Sequence, residues 1–498
     1  MTEKTYGLSK SRFTSGVQCH KKLWWEVHEP DAKELQPDKV LLDLFDQGHQ
    51  VGVAARERFP GGVLIDLPHK DPARVAATQK AIADGAPAIF EATFIADGTF
   101  VAIDVLEKQE KGYRLVEVKS STSQKPEHVT DVAVQARVAA ASGIPITATE
   151  VMHLNKEFRN PDSGTLFART DVTAEVTAFL PQVPGEIQKQ RDMLSGPLPE
   201  VPVGHHCFEP RDCPFMARCW PHTEDFIGNL TGVGPKTSVK YLAKGITSIK
   251  QLPPAEKLNT TQQRQLKAMA EQRLVVEPTL KDDLAPFANA KRLGFLDFET
   301  IMRAIPVWSG MAPWQQAAAQ FSYHERQSDG TYTHAAHLAE GPRDARPPLA
   351  EAMIEATINA DLVLMYTSFE KTRIRELQIA VPALKDELVK LEKKLFDLKP
   401  VVKNNVYHPD FLGSFSLKDI LHPLVPELTY NDLVIVDGRI ASVEIARLLF
   451  VADKIPRQER ERVRQDLLNY CERDTWAMVR LVERLTELAR NPTGLRVI

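Results

Sequence analysis

Several sets of side chains in this 498-residue chain are of types and spacings that hold metals. Cys19 stands alone in Cys-His-Lys-Lys-Leu-Trp-Trp; Cys207, Cys213 and Cys219 come much later, with five residues between each pair. Four thiolates suit a four-iron, four-sulfur (4Fe-4S) cluster, and a set of four cysteines also holds zinc. The spacing is unlike the Cys-x2-Cys knuckles typical of zinc, which favours the iron–sulfur cluster and leaves zinc as the alternative. A run of three cysteines shaped by Pro210 and Pro214 seldom serves packing alone. Joining residue 19 to residues 207–219 would clasp both ends of the intervening segment, a structural task rather than a redox one. Cys471 reads as a packed free thiol.

Carboxylates supply the second kind of chemistry. Thr99-Phe-Val-Ala-Ile-Asp104-Val-Leu and Tyr113-Arg-Leu-Val-Glu117-Val-Lys119 read as two strands of a hairpin. Period-two geometry puts Leu115, Glu117 and Lys119 on one face; Asp104 ends the first strand's Phe100/Ala102 alternation, and a hairpin register can bring it beside Glu117. Two such acids can hold Mg2+ or Mn2+, which polarises a phosphate and activates water, and Lys119 would steady the developing charge. Glu-x-Lys alone would be an ordinary charged strand. Farther on, Arg292-Leu-Gly-Phe-Leu-Asp297-Phe-Glu299 ends an apolar strand in two acids pointing to one side, which invites a metal. Glu370 follows a buried strand, Asp361–Tyr366, although Thr367-x-x-Glu370 is also a capping box. Tyr470 and Asp474 share one face of a long helix.

The elements that must position these groups follow from pattern and punctuation. A helical stretch spans Ser9 to Trp25, and another helix lies near residues 129–142. The Pro-rich Gly196–Gly204 reads as an extended connector, Phe226 to Leu252 as a small helical unit, and Pro278 to Asn289 as a linker. The length suggests about three domains. We expect them at 1–222, 223–277 and 290–498, in an α/β multi-domain fold class. Hydrophobic content of 43% and charged content of 26% exclude a fibrous or disordered chain. A net charge of −4 excludes coating of nucleic acid by bulk electrostatics, while leaving room for a local basic groove. No apolar run approaches a membrane span, and Met1 to Arg12 lacks a signal-peptide core, so no membrane partner and a cytoplasmic location are expected.

Between the cysteines, the Asp-x12-Glu-x-Lys spacing resembles the PD-(D/E)XK superfamily, specifically the RecB-like, CRISPR-associated-exonuclease-like nucleases with an iron–sulfur staple. Leu8-Ser-Lys-Ser-Arg12 looks like their opening motif and Gln135 like their glutamine motif, over residues 6 to 222. This implies a restriction-endonuclease-like α/β domain with a four-cysteine cluster. The chain departs from that pattern at Gly52, where relatives place a histidine ligand and His49 is displaced, and at Ala139, where they place a tyrosine; Glu91 is a candidate substitute acid. Leu230-Thr-Gly232-Val-Gly234-Pro-Lys236 resembles a helix-hairpin-helix element, whose glycine turn and lysine would meet a nucleic-acid phosphate.

The later acids occur in the order of the DEDDy exonucleases of the RNase H-like class. That resemblance implies that Asp297, Glu299, Glu370 and Asp474 hold two divalent ions and that Tyr470 orients water. Most relatives have Asp where this chain has Glu370. Asp397 is a candidate accessory acid, and Trp308 and Trp314 stack on bases or pack in the core. In this order of parts the chain resembles a bacterial family of RecB-like nuclease fusions whose C-terminal half is catalogued as a domain of unknown function. The implied activity is hydrolysis of nucleic acid, DNA before RNA, with a 3'-end exonuclease site behind and a PD-(D/E)XK site in front. A front domain that only clamps nucleic acid is the alternative.

Overall fold

The computed structural model describes residues 7–69, 71–161, 164–253 and 256–491. Met1 to Tyr6, read above for a leader, and the end of the last expected domain, 492–498, lie outside the described residues. The chain forms two compact units, one of Met1–Trp220 with Arg303–Gln315, the other of Pro221–Met302 with Gln316–Ile498.

The first unit is built on a sheet of β1 (Leu8–Ser9), β2 (Val63–Leu64), β3 (Ala88–Ala96), β4 (Thr99–Gln109), β5 (Gly112–Lys119), β6 (Ile146–Leu154) and β7 (Phe167–Asp171). Its order is β2-β3-β4-β5-β6-β7, with β1 beside β4. β4 and β5 form the expected antiparallel hairpin, but β4 runs on past Asp104 to Gln109. β5 and β6 are parallel, which requires a crossover, and the helix Pro126–Ala141 supplies it. Neighbouring strand residues point to opposite layers. Leu115 and Val151 pack with Val132, Val134 and Ala136 of that helix. Val116 and Met152 pack instead with Val51 and Ala55 of the helix Lys39–Arg56. The expected single helix from Ser9 to Trp25 is two, Lys10–Gln18 and His20–His28, because Cys19 between them takes an extended backbone (φ −165°).

In the second unit, helices Gly234–Leu242 and Thr260–Glu271 precede β8 (Val275–Val276), which pairs with β14 (Val406–Tyr407). The main sheet holds β9 (Leu293–Met302), β10 (Gln316–Arg326), β11 (Tyr332–Leu338), β12 (Leu362–Met365) and β13 (Leu395–Asp397), in the order β11-β10-β9-β12-β13. β12 runs parallel to β9 and β10 antiparallel to it. Central β9 is covered on both faces. Leu293 and Phe295 pack with Ala477 and Leu481 of the helix Arg457–Arg490, whereas Leu296 and Phe298 pack with Leu349, Ile374 and Leu388. By the same alternation Asp297 and Glu299 face the long helix. The linker expected over Pro278 to Asn289 is instead two short helices, Leu280–Asp283 and Ala285–Asn289. Leu280, Leu284 and Phe287 recur at helical spacing and are buried, and this apolar stripe outweighs the prolines and Lys-Asp-Asp around it.

Candidate active sites

The helix Arg457–Arg490 presents Tyr470, Cys471, Asp474, Ala477 and Met478 on its buried side, a stripe of three- and four-residue steps. Facing β9, that stripe brings Asp474 to Asp297 and Glu299: each offers one carboxylate oxygen, all within 4.8 Å of one another. Glu370 is not in that group. It is buried near the start of the helix Phe369–Ala380, and its Oε2 has no hydrogen-bond partner among the described residues. The capping box expected there is not formed, since Ser368 is the N-cap and makes no side-chain cap bond, while Thr367 stands at φ +143°. Burial, followed by the charges of Asp474, Glu370 and Glu299, pushes the Asp297 carboxyl well above the usual range. Burial likewise raises Glu299 and Asp474, and pushes Glu370 up to about 7. So much buried carboxylate is costly without a cation, and the donor set of hard oxygens fits Mg2+ or Mn2+.

Three groups to which the sequence assigns no role surround these acids. Tyr430 donates to Asp474 Oδ1 at 2.5 Å. Lys418 Nζ donates to Tyr470 Oη at 2.9 Å and lies over the Tyr430 and Tyr470 rings at 4.9 and 4.7 Å. Gly438 opens the helix Gly438–Phe450 so close that a Cβ there would lie 3.4 Å from Glu299 Oε2. Burial and the neighbouring acids raise the Tyr470 phenol far above its ordinary range, so it stays protonated. Cys471 is fully buried, its Sγ 3.6 Å from Asp297 Oδ2, so the expected packed thiol borders the acid group. Asp397 accepts the Lys399 N–H at 2.9 Å, a turn contact that accounts for it locally.

In the first unit, Glu117 is the hub. It accepts Lys119 Nζ at 2.6 Å, Lys10 Nζ at 2.9 Å and Gln135 Nε2 at 2.7 Å. These contacts hold its carboxyl well below the usual range despite burial. Asp104 accepts the Val118 N–H at 2.7 Å, and burial beside Glu117 pushes its pKa up to about 7. Asp131 closes the set by pairing with Lys119 and Lys10. Asp104, Glu117, Lys119 and Gln135 are thus brought together, and Lys10 and Asp131 join them. Lys10 was visible only as part of the opening motif. Glu91 lies inside β3 rather than before it, at φ +59°, ion-paired with Arg56 and Arg74. His49 is exposed on the helix Lys39–Arg56.

Cys19, Cys207, Cys213 and Cys219 all line one cavity of about 20 Å³. Gln18 ties the two stretches together, its Nε2 donating to the carbonyls of His206 and Arg211 at 2.8 and 2.7 Å. Burial pushes the Cys213 thiol up to about 11, a cost that a cationic centre would remove by taking the thiolate. Gly232 and Gly234 take φ of +80° and +64° ahead of the helix Gly234–Leu242, which carries Lys236 in its first turn. Trp308 is buried, and Trp314 Nε1 donates to Ser120 O at 2.5 Å, so both are packed within the first unit.

A family model described as a domain of unknown function, DUF2779, matches residues 294–416, from β9 to the turn before the helix Leu417–Leu424. No curated protein matches the chain. Among solved structures it is similar to the family B DNA polymerase from the hyperthermophilic archaeon Pyrobaculum calidifontis, at 14% identity and a TM-score of 0.28. That match covers 39% of this chain and 24% of the polymerase. It is also similar to an alkaline exonuclease from Laribacter hongkongensis, at 12% identity and a TM-score of 0.22, covering 38% of this chain and 91% of the exonuclease. Among the described residues no helix is long and apolar enough to cross a membrane.

Proposed function

We propose that the chain is a metal-dependent nuclease that hydrolyses phosphodiester bonds of DNA, with its principal site in the second unit. The observation behind this reading is the convergence of Asp297, Glu299 and Asp474 within 4.8 Å. Divalent ions held by those acids and Glu370 would supply activated water and a clamp on the reacting oxygens. Tyr470, kept protonated and steadied by Lys418, is placed to donate to that water or to the phosphate. A central β9 bearing two of the acids supports the RNase H-like, DEDDy reading, and with it removal of nucleotides from a 3' end.

The hub at Glu117, with Asp104, Lys119 and Gln135, supports a second, PD-(D/E)XK-type site in the first unit. One observation favours a clamp there instead: Glu117 is already held by two lysines and a glutamine, which leaves Asp104 as the acid freer to meet a metal. The convergent cysteines support a tetrathiolate staple, an iron–sulfur cluster first and zinc second. An iron count and visible spectrum on anaerobically purified protein decide between them.

The test is cleavage of end-labelled single-stranded DNA and RNA in Mg2+ or Mn2+ by the full chain, by Asp297→Ala and by Lys119→Ala. Asp297→Ala should abolish 3' trimming. Lys119→Ala should remove a second cutting activity, or under the clamp reading weaken binding alone. Unchanged cleavage in both variants overturns the proposal.

A further inference from the structure

The second unit holds a group of side chains for which phosphodiester chemistry has no use. His324 of β10 lies opposite His334 of β11 in the antiparallel register, their ring centroids 4.5 Å apart. Glu472 of the helix Arg457–Arg490 joins them. One ring nitrogen from each histidine and one Glu472 carboxylate oxygen lie within 4.8 Å of one another.

The hydrogen bonds around the rings admit a tautomer pair that leaves one lone pair free on each ring. In it the Thr475 hydroxyl donates to the Glu472 carbonyl at 3.0 Å, which uses its single proton. His324 Nδ1, 2.8 Å from that hydroxyl, must then be the donor. Ser322 Oγ, also 2.8 Å from it, must donate as well. With the Ser322 proton spent, His334 Nε2 at 2.9 Å must donate to Ser322. Both rings are left neutral, with lone pairs on Nε2 of His324 and Nδ1 of His334. A metal-ligating histidine takes this form, its other nitrogen tied to a hydrogen-bond partner that orients the ring.

We propose that His324, His334 and Glu472 form a second metal site for a borderline cation of the Zn2+ class. Two imidazoles and one carboxylate match that preference, whereas the all-carboxylate group at Asp297 suits harder ions. His324 is buried and anchors the site, while His334 and Glu472 are exposed and have room to close the spacing to that of a tetrahedral centre. The fourth position is left to water. An ion here would pin the β10–β11 hairpin to the helix that bears Tyr470 and Asp474, so its task is bracing rather than cutting.

Zinc bound by the chelator-stripped full chain is to be counted by equilibrium dialysis in excess Mg2+, for the parent, His334→Ala and Glu472→Gln. Each variant should bind one zinc fewer than the parent while melting at the parent's temperature in chelator. Ser322→Ala, which frees the His334 tautomer, should bind the same zinc about tenfold more weakly. Asp297→Ala should keep it, which separates this site from the proposed nuclease site. Equal zinc counts in the parent and His334→Ala, or a loss in His334→Ala without one in Glu472→Gln, overturn the assignment.

Discussion

Tyr430 Oη sits 2.5 Å from Asp474 Oδ1, so a residue outside the expected acid set touches it directly. The bond takes one lone pair of the carboxylate that joins Asp297 and Glu299 in the acid group. Tyr430→Phe removes the donor and keeps the ring. A hydrogen bond to a charged group is worth about 1.5–3 kcal/mol. We expect cleavage to fall by about tenfold to a hundredfold, read as initial rates on 3'-labelled single strands, with the fold intact by circular dichroism.

The acids of the second unit make its stability depend on pH in an unusual direction. Their folded pKa values are raised, Glu370 to about 7, so between the ordinary carboxylate range and about 7 the folded state binds more protons than the unfolded one. Stability must then fall as pH rises through that window. In chelator the melting temperature should drop between about pH 4.5 and 7. Mg2+ should restore it most at the upper end. Asp297→Asn should flatten the dependence; a profile as steep as the parent's would contradict this account.

In the first unit, Lys10 is a counter-ion for Glu117 and Asp131. Lys10→Met keeps the length and deletes the charge. Lys119 and Gln135 still hold Glu117, so we expect a loss of about 1–3 kcal/mol, below the 3–5 typical of a buried pair stripped of its only partner. Thermal denaturation in chelator checks the size of the loss. Divalent metal should recover more stability in the variant than in the parent, because the vacated charge is then supplied from solution.

Gly438 tests how closely the backbone must approach Glu299. A Cβ there already reaches van der Waals distance from Glu299 Oε2, so the branches of Gly438→Val would push the carboxylate aside. The Mn2+ concentration for half-maximal cleavage should rise about tenfold or more, on the scale of losing a group that orients a ligand. Gly438→Ala should change it little.

What was legible in the sequence was whatever local periodicity encodes. β9 reads as an apolar run ending in two acids, and the stripe on Arg457–Arg490 places Tyr470 with Asp474. The β4–β5 hairpin likewise follows from alternation and turn residues. Groups delivered by long-range packing were not legible. Tyr430 lies in an irregular segment and Lys418 on the amphipathic helix Leu417–Leu424, whose apolar stripe gives no hint of a site, and only the folded chain sets them against Asp474 and Tyr470. Local rules also misled where a stronger tertiary demand won. Thr367-x-x-Glu370 satisfies a capping rule, yet Glu370 is buried near the acid group and not spent on a cap. The linker assigned over Pro278 to Asn289 failed because Leu280, Leu284 and Phe287 have a core to fill.

Residues 303–315 continue directly from the strand that bears Asp297 and Glu299, yet they belong to the first unit. There Ala304 joins the cluster of Val51, Ala55 and Val116, and Arg303 pairs with Asp43 at 2.7 Å. The polypeptide therefore threads from one unit to the other three times rather than once. A gene cut after residue 220 would deliver a first unit lacking a piece of its own interior. Recombination or truncation at that point cannot separate the two halves cleanly, and a dissection of their activities has to proceed by point substitution in the undivided chain.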